Sequence, residues 1–291
     1  MRTLAVHDLG PVFGSEVRGF DPEQLDDPAT CAELQHLFDT RSVLLFRDLD
    51  IDHAQQVRLA KLLAGTQQHP GDSANATGQS DPVVEDRWYV SNARPNSAAP
   101  FGRLQFHSDT MWSDQPCEVL SLYAIDVEEP AVPTTFASAV NAWTTLPDDL
   151  RARIDGRSAL HTAAEIRRGD VEDVLVSKVE QAPSTVKPLG LPHPRTGVTI
   201  LYACEQMTKE IVDLAPNESE ELLEELFAHL YDSAGLVHHE WRNRDLLVWD
   251  NLALQHARPN VRTDGPRRTL RKAASTIPRL APEQRPQHTR V

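Results

Sequence analysis

Only three of the 291 residues are cysteine, Cys31, Cys117 and Cys204, and no two of them form a C-x-x-C pair. That excludes a disulfide framework and a zinc ribbon, and leaves buried free thiols in a reducing cytoplasm as the expected state. No apolar run approaches the roughly 18 residues of a membrane span. The start of the chain, Met1-Arg2-Thr3-Leu4-Ala5-Val6-His7-Asp8, lacks the apolar core of an export signal. Basic residues are outnumbered, 29 Lys+Arg against 43 Asp+Glu, for a formal net charge of −14. Phosphate affinity comes from Lys and Arg, so neither nucleic acid nor an anionic membrane is an expected partner. A small-molecule substrate is, with assembly into a homo-oligomer left open.

What is present is an ordinary globular balance, 40% hydrophobic and 25% charged, on a chain long enough to bury a sizeable core. Short strand-like stretches flank turns at Gly10-Pro11 and Gly14-Ser15, and Pro22-Glu23 opens a helical stretch in which Leu34, Leu37 and Phe38 share a stripe. Ser42-Val43-Leu44-Leu45-Phe46-Arg47 reads as a buried strand. Asp52 precedes a second helix with Val57, Leu59, Ala60, Leu62 and Leu63 as its apolar positions. Residues 64–105 are rich in Gly, Ser, Asn, Gln, Pro and Asp, with one strand-like island at Arg87-Trp88-Tyr89-Val90-Ser91, and read as a lid loop. Further strands are expected over residues 118–125, 134–138, 197–202, 246–250 and 268–274, with a mostly helical stretch from Val140 to Leu160. Residues 165–185 read as a polar loop, and Asn217-Glu218-Ser219-Glu220 as the cap of a helix through Leu222, Leu223, Leu226 and Phe227. The pattern predicts a mainly β fold with flanking helices, a jelly-roll core. It predicts a single domain over residues 1–280 and a frayed tail over 281–291.

His107-Ser108-Asp109 is the one H-x-D in the sequence. If it lies on a strand, the two side chains leave the same face and could grip one ion. Chance would supply roughly one such pair at this composition. The rival, His238-His239-Glu240, lies in a charged stretch that reads as an exposed turn. His256, after the strand and turn over residues 246–251, supplies a distant second imidazole. Two histidines and a carboxylate on one face of an ion leave the opposite face open, which suits a non-haem Fe(II) oxygenase, although a zinc hydrolase could use the same ligands. Arg267-Arg268-Thr269-Leu270-Arg271-Lys272 follows His256 closely. Guanidinium groups grip carboxylates through paired, charge-assisted hydrogen bonds, so a basic cluster here points to an anionic cosubstrate.

From end to end the protein resembles the taurine dioxygenase family of Fe(II)/2-oxoglutarate-dependent oxygenases. The resemblance begins with Phe13-Gly14-Ser15-Glu16-Val17-Arg18-Gly19-Phe20-Asp21 and Val43-Leu44-Leu45-Phe46-Arg47-Asp48. It continues through Phe106-His107-Ser108-Asp109-Thr110 and His193-Pro194-Arg195-Thr196-Gly197 with Leu201-Tyr202. It ends with Trp249-Asp250-Asn251, Gln255-His256 and the closing arginine strand. It implies a double-stranded β-helix (distorted jelly-roll, cupin-like) core and Fe(II), 2-oxoglutarate and O2 as cofactor and cosubstrates. It implies His107, Asp109 and His256 as iron ligands, and Thr134 with Arg268 as the grip on the far end of 2-oxoglutarate. Arg267 is the alternative anchor if the strand runs in the other phase. Lys272 would then fall where some members use an arginine on the substrate anion, with Arg271 in the other phase, a departure that disfavours a sulfonate substrate. The family's Gly-Gly-Asp-Thr turn is replaced by Ala131-Val132-Pro133-Thr134. Asp109 disfavours halogenation, since related halogenases lack this carboxylate.

The resemblance implies hydroxylation of an unactivated C–H bond in a small polar, acidic or amino-acid-like molecule. Desaturation, cyclisation and C–heteroatom cleavage remain open. The lid and the strand before His107, with later positions, supply candidate substrate contacts: Tyr89, Asn92, Arg103, Gln105, Tyr202 and Met207. A zinc- or manganese-dependent hydrolase or isomerase on a cupin-like barrel, and a non-enzymatic small-molecule binder, are the rival readings.

Overall fold

A strand that is apolar at every position needs a cover on both faces, and Val43–Phe46 has one. Leu44 and Phe46 pack under the N-terminal helices with Leu34, Phe38, Leu59 and Leu63. Val43 and Leu45 face the opposite way, toward Phe136, Trp249 and Leu270. The computed structural model describes residues 4–65, 88–164, 175–178, 181–232, 235–275 and 287–290. The strands in order are β1 (Ala5–Asp8), β2 (Ser15–Arg18), β3 (Val43–Phe46), β4 (Tyr89–Ser91), β5 (Gly102–His107), β6 (Val119–Val127), β7 (Thr134–Ser138), β8 (Ser158–Thr162), β9 (Leu175–Lys178), β10 (Ser184–Pro188), β11 (Gly190–Pro192), β12 (Thr199–Leu201), β13 (Thr208–Ile211), β14 (Val237–His239), β15 (Leu246–Asp250), β16 (Leu254–Val261), β17 (Arg268–Ala274) and β18 (Gln287–Arg290). The helices are α1 (Pro28–Arg41), α2 (His53–Leu63), α3 (Ala139–Thr144), α4 (Asp148–Ile154) and α5 (Pro216–Leu230).

Two sheets enclose the core. One has seven strands in the order β1-β2-β3-β15-β6-β17-β4, and the other has four in the order β14-β7-β16-β5. Most pairings are antiparallel, with β2 and β3 parallel. Helices α1 and α2 cover the outer face of the larger sheet, so the interior between the sheets is lined by alternate residues of β3, β15 and β17 on one side and β7 and β16 on the other. This is the jelly-roll architecture that the strand pattern predicts. Asp52 caps α2 in a box with Gln55, the backbone N–H of Gln55 donating to Asp52 at 2.8 Å and that of Asp52 to Gln55 at 3.0 Å. Val57, Leu59, Ala60 and Leu63 are its buried face as expected, and Leu62 is partly buried.

Four expectations change. The helical stretch after Val140 stops at Ile154, and Ser158–Thr162 is a strand paired on both edges, with Ala159 and His161 facing a packed interior. The polar segment after residue 165, where described, forms β9 and the start of β10. Helix α5 starts from Ala215 with Pro216 in its first turn and no side-chain cap; Ser219 instead accepts the backbone N–H of Ile211 at 2.8 Å. Gln287–Arg290, expected to fray, pair with β9. Of the lid loop, residues 66–87 lie outside the described residues, while 88–105 contribute β4 and the start of β5.

His161 is wholly buried on β8, edge-on to the Tyr202 ring with centroids 5.0 Å apart. Burial, and then the nearby Lys187 charge, push its proton affinity from an ordinary 6.5 down to about 3. The unfolded protein therefore takes up a proton below about pH 6.5 that the folded protein refuses until about pH 3. This group's stabilisation is whole above the unfolded value and is lost as pH falls through that window, by about 1.4 kcal/mol per pH unit. Urea unfolding should show His161→Gln with a shallower loss of stability between pH 7 and 5.5 than the parent protein, by about 1 kcal/mol. Equal slopes would show that His161 does not stay neutral.

Candidate metal and cosubstrate site

His107 ends β5, and Asp109 lies in the turn beyond it. The two do not meet through strand alternation, as expected from their spacing. They meet because the turn is clasped by Asn251, on the loop after β15. The backbone N–H of Asp109 donates to Asn251 Oδ1 at 2.9 Å, and Asn251 Nδ2 donates to the Asp109 carbonyl at 2.9 Å and to the Cys117 carbonyl at 2.7 Å. Ser108 Oγ donates to the Asn251 carbonyl. From beneath, the buried Tyr202 hydroxyl donates to the Met111 carbonyl at 3.0 Å.

Asn251 is itself held by its neighbour. Asp250 accepts the backbone N–H groups of Leu252 at 3.0 Å and Ala253 at 2.9 Å. It also accepts from His193 Nε2 at 3.1 Å and pairs with Arg195. His193 Nδ1 accepts the N–H groups of Arg195 and Thr196, both at 3.2 Å, which fixes the proton on Nε2. Burial alone would raise the Asp250 carboxyl, but the His193 and Arg195 contacts outweigh it and hold it below its usual range. The segment over residues 193–197 therefore serves as a brace for the loop that clasps Asp109.

Strand register delivers the third group. His256 on β16 stands opposite His107 on β5 and Phe136 on β7, with the two imidazole centroids 4.1 Å apart. Asp109 Oδ1 lies 3.3 Å from His107 Nε2 and 3.7 Å from His256 Nε2. One ligand atom from each of the three falls within 4.8 Å of the others, and among the described residues this is the one His/Cys/Asp/Glu group of that kind. His107 Nδ1 lies 2.8 Å from the Gln105 carbonyl, to which it donates, so Nε2 is the nitrogen turned to the ion position. Burial, and then the His107 charge, hold His256 well below its ordinary value, so it is a neutral donor. Burial pushes Asp109 up, yet Lys272 and the two histidines outweigh it and keep the carboxyl well below its usual range. Lys272 Nζ contacts Oδ2, the oxygen turned away from the imidazoles. Two imidazole nitrogens and one carboxylate oxygen converging this closely fit a single divalent cation.

The pleat of β17 sorts the basic cluster. Arg268, Leu270 and Lys272 share the interior face, while Arg271 turns to the helix side, where it donates to Gln56 at 2.8 Å and the Ile51 carbonyl at 2.8 Å. Arg267 is exposed and pairs with Asp126 at 3.1 Å. Arg268 is buried, donating to the Val132 carbonyl at 3.0 Å and Thr134 Oγ1 at 3.2 Å. Thr134 Oγ1 also accepts from Trp241 Nε1 at 3.0 Å. The structure thus brings Arg268, Thr134 and Lys272 into the interior with the triad and leaves Arg267 and Arg271 outside it.

The other expected substrate contacts are mostly occupied elsewhere. Tyr89 pairs across from Arg271 and lies under the Arg94 guanidinium at 3.9 Å. Asn92 grips the Arg262 and Pro266 carbonyls and accepts the Arg268 N–H at 2.9 Å, supporting the anchor strand. Tyr202 and Met207 are core residues, and Arg103 is exposed; Gln105 is buried two residues before His107. The charged stretch over residues 240–245 is a largely exposed turn as expected, but His239 itself ends strand β14 and is buried, 3.3 Å from Asp245 and edge-on to Trp241. Asn251, Trp241 and Arg258 are not singled out by sequence. For Asn251 the Trp249-Asp250-Asn251 motif is the available signal.

A sequence model of the "Taurine catabolism dioxygenase TauD, TfdA family" matches residues 5–274. Pentalenolactone F synthase of Streptomyces avermitilis is 26% identical over 288 residues, covering 91% of this chain and 92% of that protein. The alpha-ketoglutarate-dependent 2,4-dichlorophenoxyacetate dioxygenase of Cupriavidus pinatubonensis is 25% identical over 284 residues, covering 94% and 98%. Among solved structures, a taurine dioxygenase from Burkholderia xenovorans superposes with a TM-score of 0.72 at 24% identity, covering 99% of this chain and 96% of that one. AAD-2 in complex with Mn(II) and N-oxalylglycine superposes with a TM-score of 0.70 at 23% identity, covering 95% and 99%.

Replacing Asn251 by Ala should weaken divalent-metal binding by roughly 10- to 100-fold, as loss of a residue that orients a ligand does. Titration with Mn(II), followed by electron paramagnetic resonance, checks this; unchanged affinity would show that the Asp109 turn holds without its clasp. With a two-sheet jelly roll, a convergent His-Asp-His group and a family match across nearly the whole sequence, the protein belongs to the TauD/TfdA family and is a 2-oxoglutarate-dependent dioxygenase, an oxidoreductase.

Proposed function

We propose that the metal is Fe(II) and that the enzyme hydroxylates an unactivated C–H bond of a small polar, acidic or amino-acid-like molecule. In that reaction one oxygen atom of O2 enters the substrate as hydroxyl. The other enters succinate, as 2-oxoglutarate loses CO2. The observation that carries this reading is one interior holding a three-donor metal site and, on the same face of β17 as Lys272, the buried Arg268–Thr134 pair. A hydrolase would need the first and not the second.

His107 Nε2, His256 and Asp109 Oδ1 would hold the ion, and iron bound there supplies the oxygen activation. Arg268 would receive the distal carboxylate of 2-oxoglutarate. Thr134 Oγ1 already accepts two hydrogen bonds, from Arg268 and Trp241, so its own proton is free to donate to the same carboxylate. Trp249 and Phe136 pack around His256 and exclude water from that side, with ring centroids 5.0 and 6.3 Å away. Lys272 is the inward cation nearest the metal site and supports an anionic substrate. The 2,4-dichlorophenoxyacetate for which one relative is named is a carboxylate. Asp109 supports oxygen transfer over halide transfer, because it fills the position a halide would need.

Anaerobic addition of Fe(II) and 2-oxoglutarate should produce a visible charge-transfer band. Arg268→Ala should raise the 2-oxoglutarate concentration needed for it by roughly 10- to 100-fold, the effect of losing a charge-assisted pair. His256→Ala should abolish the band. Absence of the band in the parent protein, with Zn(II)-dependent hydrolysis in its place, would replace this reading. A panel of small acids and amino acids scored by succinate release identifies the substrate.

A further inference from the structure

The interior holds a second guanidinium. Arg258 lies two residues beyond His256 on β16 and is buried. Side chains two apart on a strand share a face, so Arg258 points into the same interior as His256. The register pairs His256 with Phe136 and Ala257 with Thr135, and one step further sets Arg258 beside Thr134. Arg268 reaches that same threonine from the opposite sheet, at 3.2 Å. The two guanidiniums are near enough that Arg258's charge adds to burial in lowering Arg268's proton affinity.

Neither cation has a carboxylate partner among the described residues. Arg258 donates through Nη2 to the Phe101 carbonyl at 2.9 Å and the Gly102 carbonyl at 3.3 Å. Its Nε is buried without a partner. Arg268 donates to one carbonyl and one hydroxyl. On the other side of Thr134, β14 places His239, whose acid, Asp245, is already paired with Arg47 at 2.5 Å. Two buried, mutually repelling positive charges without an anion are costly, and a donor left unmade is costly again. The layer has the form of a site built for an anion that arrives from outside. Two residues of strand span roughly 7 Å, about the length of a five-carbon dicarboxylate reaching from the metal row to this one.

We propose that Arg258 is a second binding residue for the distal carboxylate of the 2-oxoacid cosubstrate, which is held between Arg258, Arg268 and the Thr134 hydroxyl. The assignment rests on the 2-oxoglutarate-dependent reading above and makes a demand of its own: selection for a dicarboxylic 2-oxoacid over a monocarboxylic one should depend on both arginines.

Calorimetric titration of the Mn(II)-loaded full-length protein with 2-oxoglutarate, and separately with pyruvate, which lacks the distal carboxylate, tests it. Arg258→Gln should weaken 2-oxoglutarate binding by roughly 10- to 100-fold and leave pyruvate binding as it is. Arg258→Lys, which keeps the charge and loses the fork, should fall between the two and serves if the glutamine variant does not fold. Unchanged 2-oxoglutarate affinity overturns the assignment. So does an equal loss for both acids, which would mean that Arg258 only ties down the Phe101 and Gly102 carbonyls. A parent protein that binds neither acid overturns the dioxygenase reading, and this assignment with it.

Discussion

Asn251 commits both ends of its side-chain amide to the backbone of Asp109, and the metal site depends on that one contact. A carboxylate on a free turn would swing away from a cation-binding position, above all with a lysine ammonium beside it. The clasp fixes the turn, so that Oδ1 faces the two imidazoles and Oδ2 faces Lys272. Behind it stands a brace in which the buried Asp250 collects His193, Arg195 and two backbone N–H groups. Buried carboxylates are tolerable only when so satisfied. The brace therefore ties two motifs far apart in sequence to the position of a single ligand.

The rest of the site follows from sheet geometry. Register across β5, β16 and β7 sets His107, His256 and Phe136 in one row, and Arg258, two residues beyond His256, lies near Arg268, which reaches Thr134. The pleat of β17 then places Arg268 and Lys272 opposite them. The result is an interior with three inward cations in a protein of net charge −14. Inward cations in an acidic protein are the distribution that draws a small anion to the site.

Much of this is legible in the residues themselves. Thr134–Ser138, Leu246–Asp250 and Arg268–Ala274 are strands with the bounds their apolar patterns suggest, and Val43–Phe46 falls one residue short of its expected run at each end. The order of motifs in the sequence brings His107, Asp109 and His256 forward together. The errors share a cause. Ser158–Thr162 continues a helical-looking run, yet it is a strand because β10 and β13 supply partners on both edges, and pairing partners cannot be read locally. His239 looks solvated because its neighbours in sequence are charged; its neighbours in space are Trp241 and Asp245.

The sequence by itself determined the element types, the family motifs and the set of titratable groups available to the site, because periodicity and residue chemistry are local properties. Only the tertiary structure decided which of those groups converge. Arg267 and Arg268 are adjacent and identical in kind, yet a strand sends consecutive side chains to opposite faces, so one meets solvent and the other meets Thr134. Arg258 carried no signal in its neighbourhood at all. Only the closing of two sheets buries it, with no carboxylate partner among the described residues.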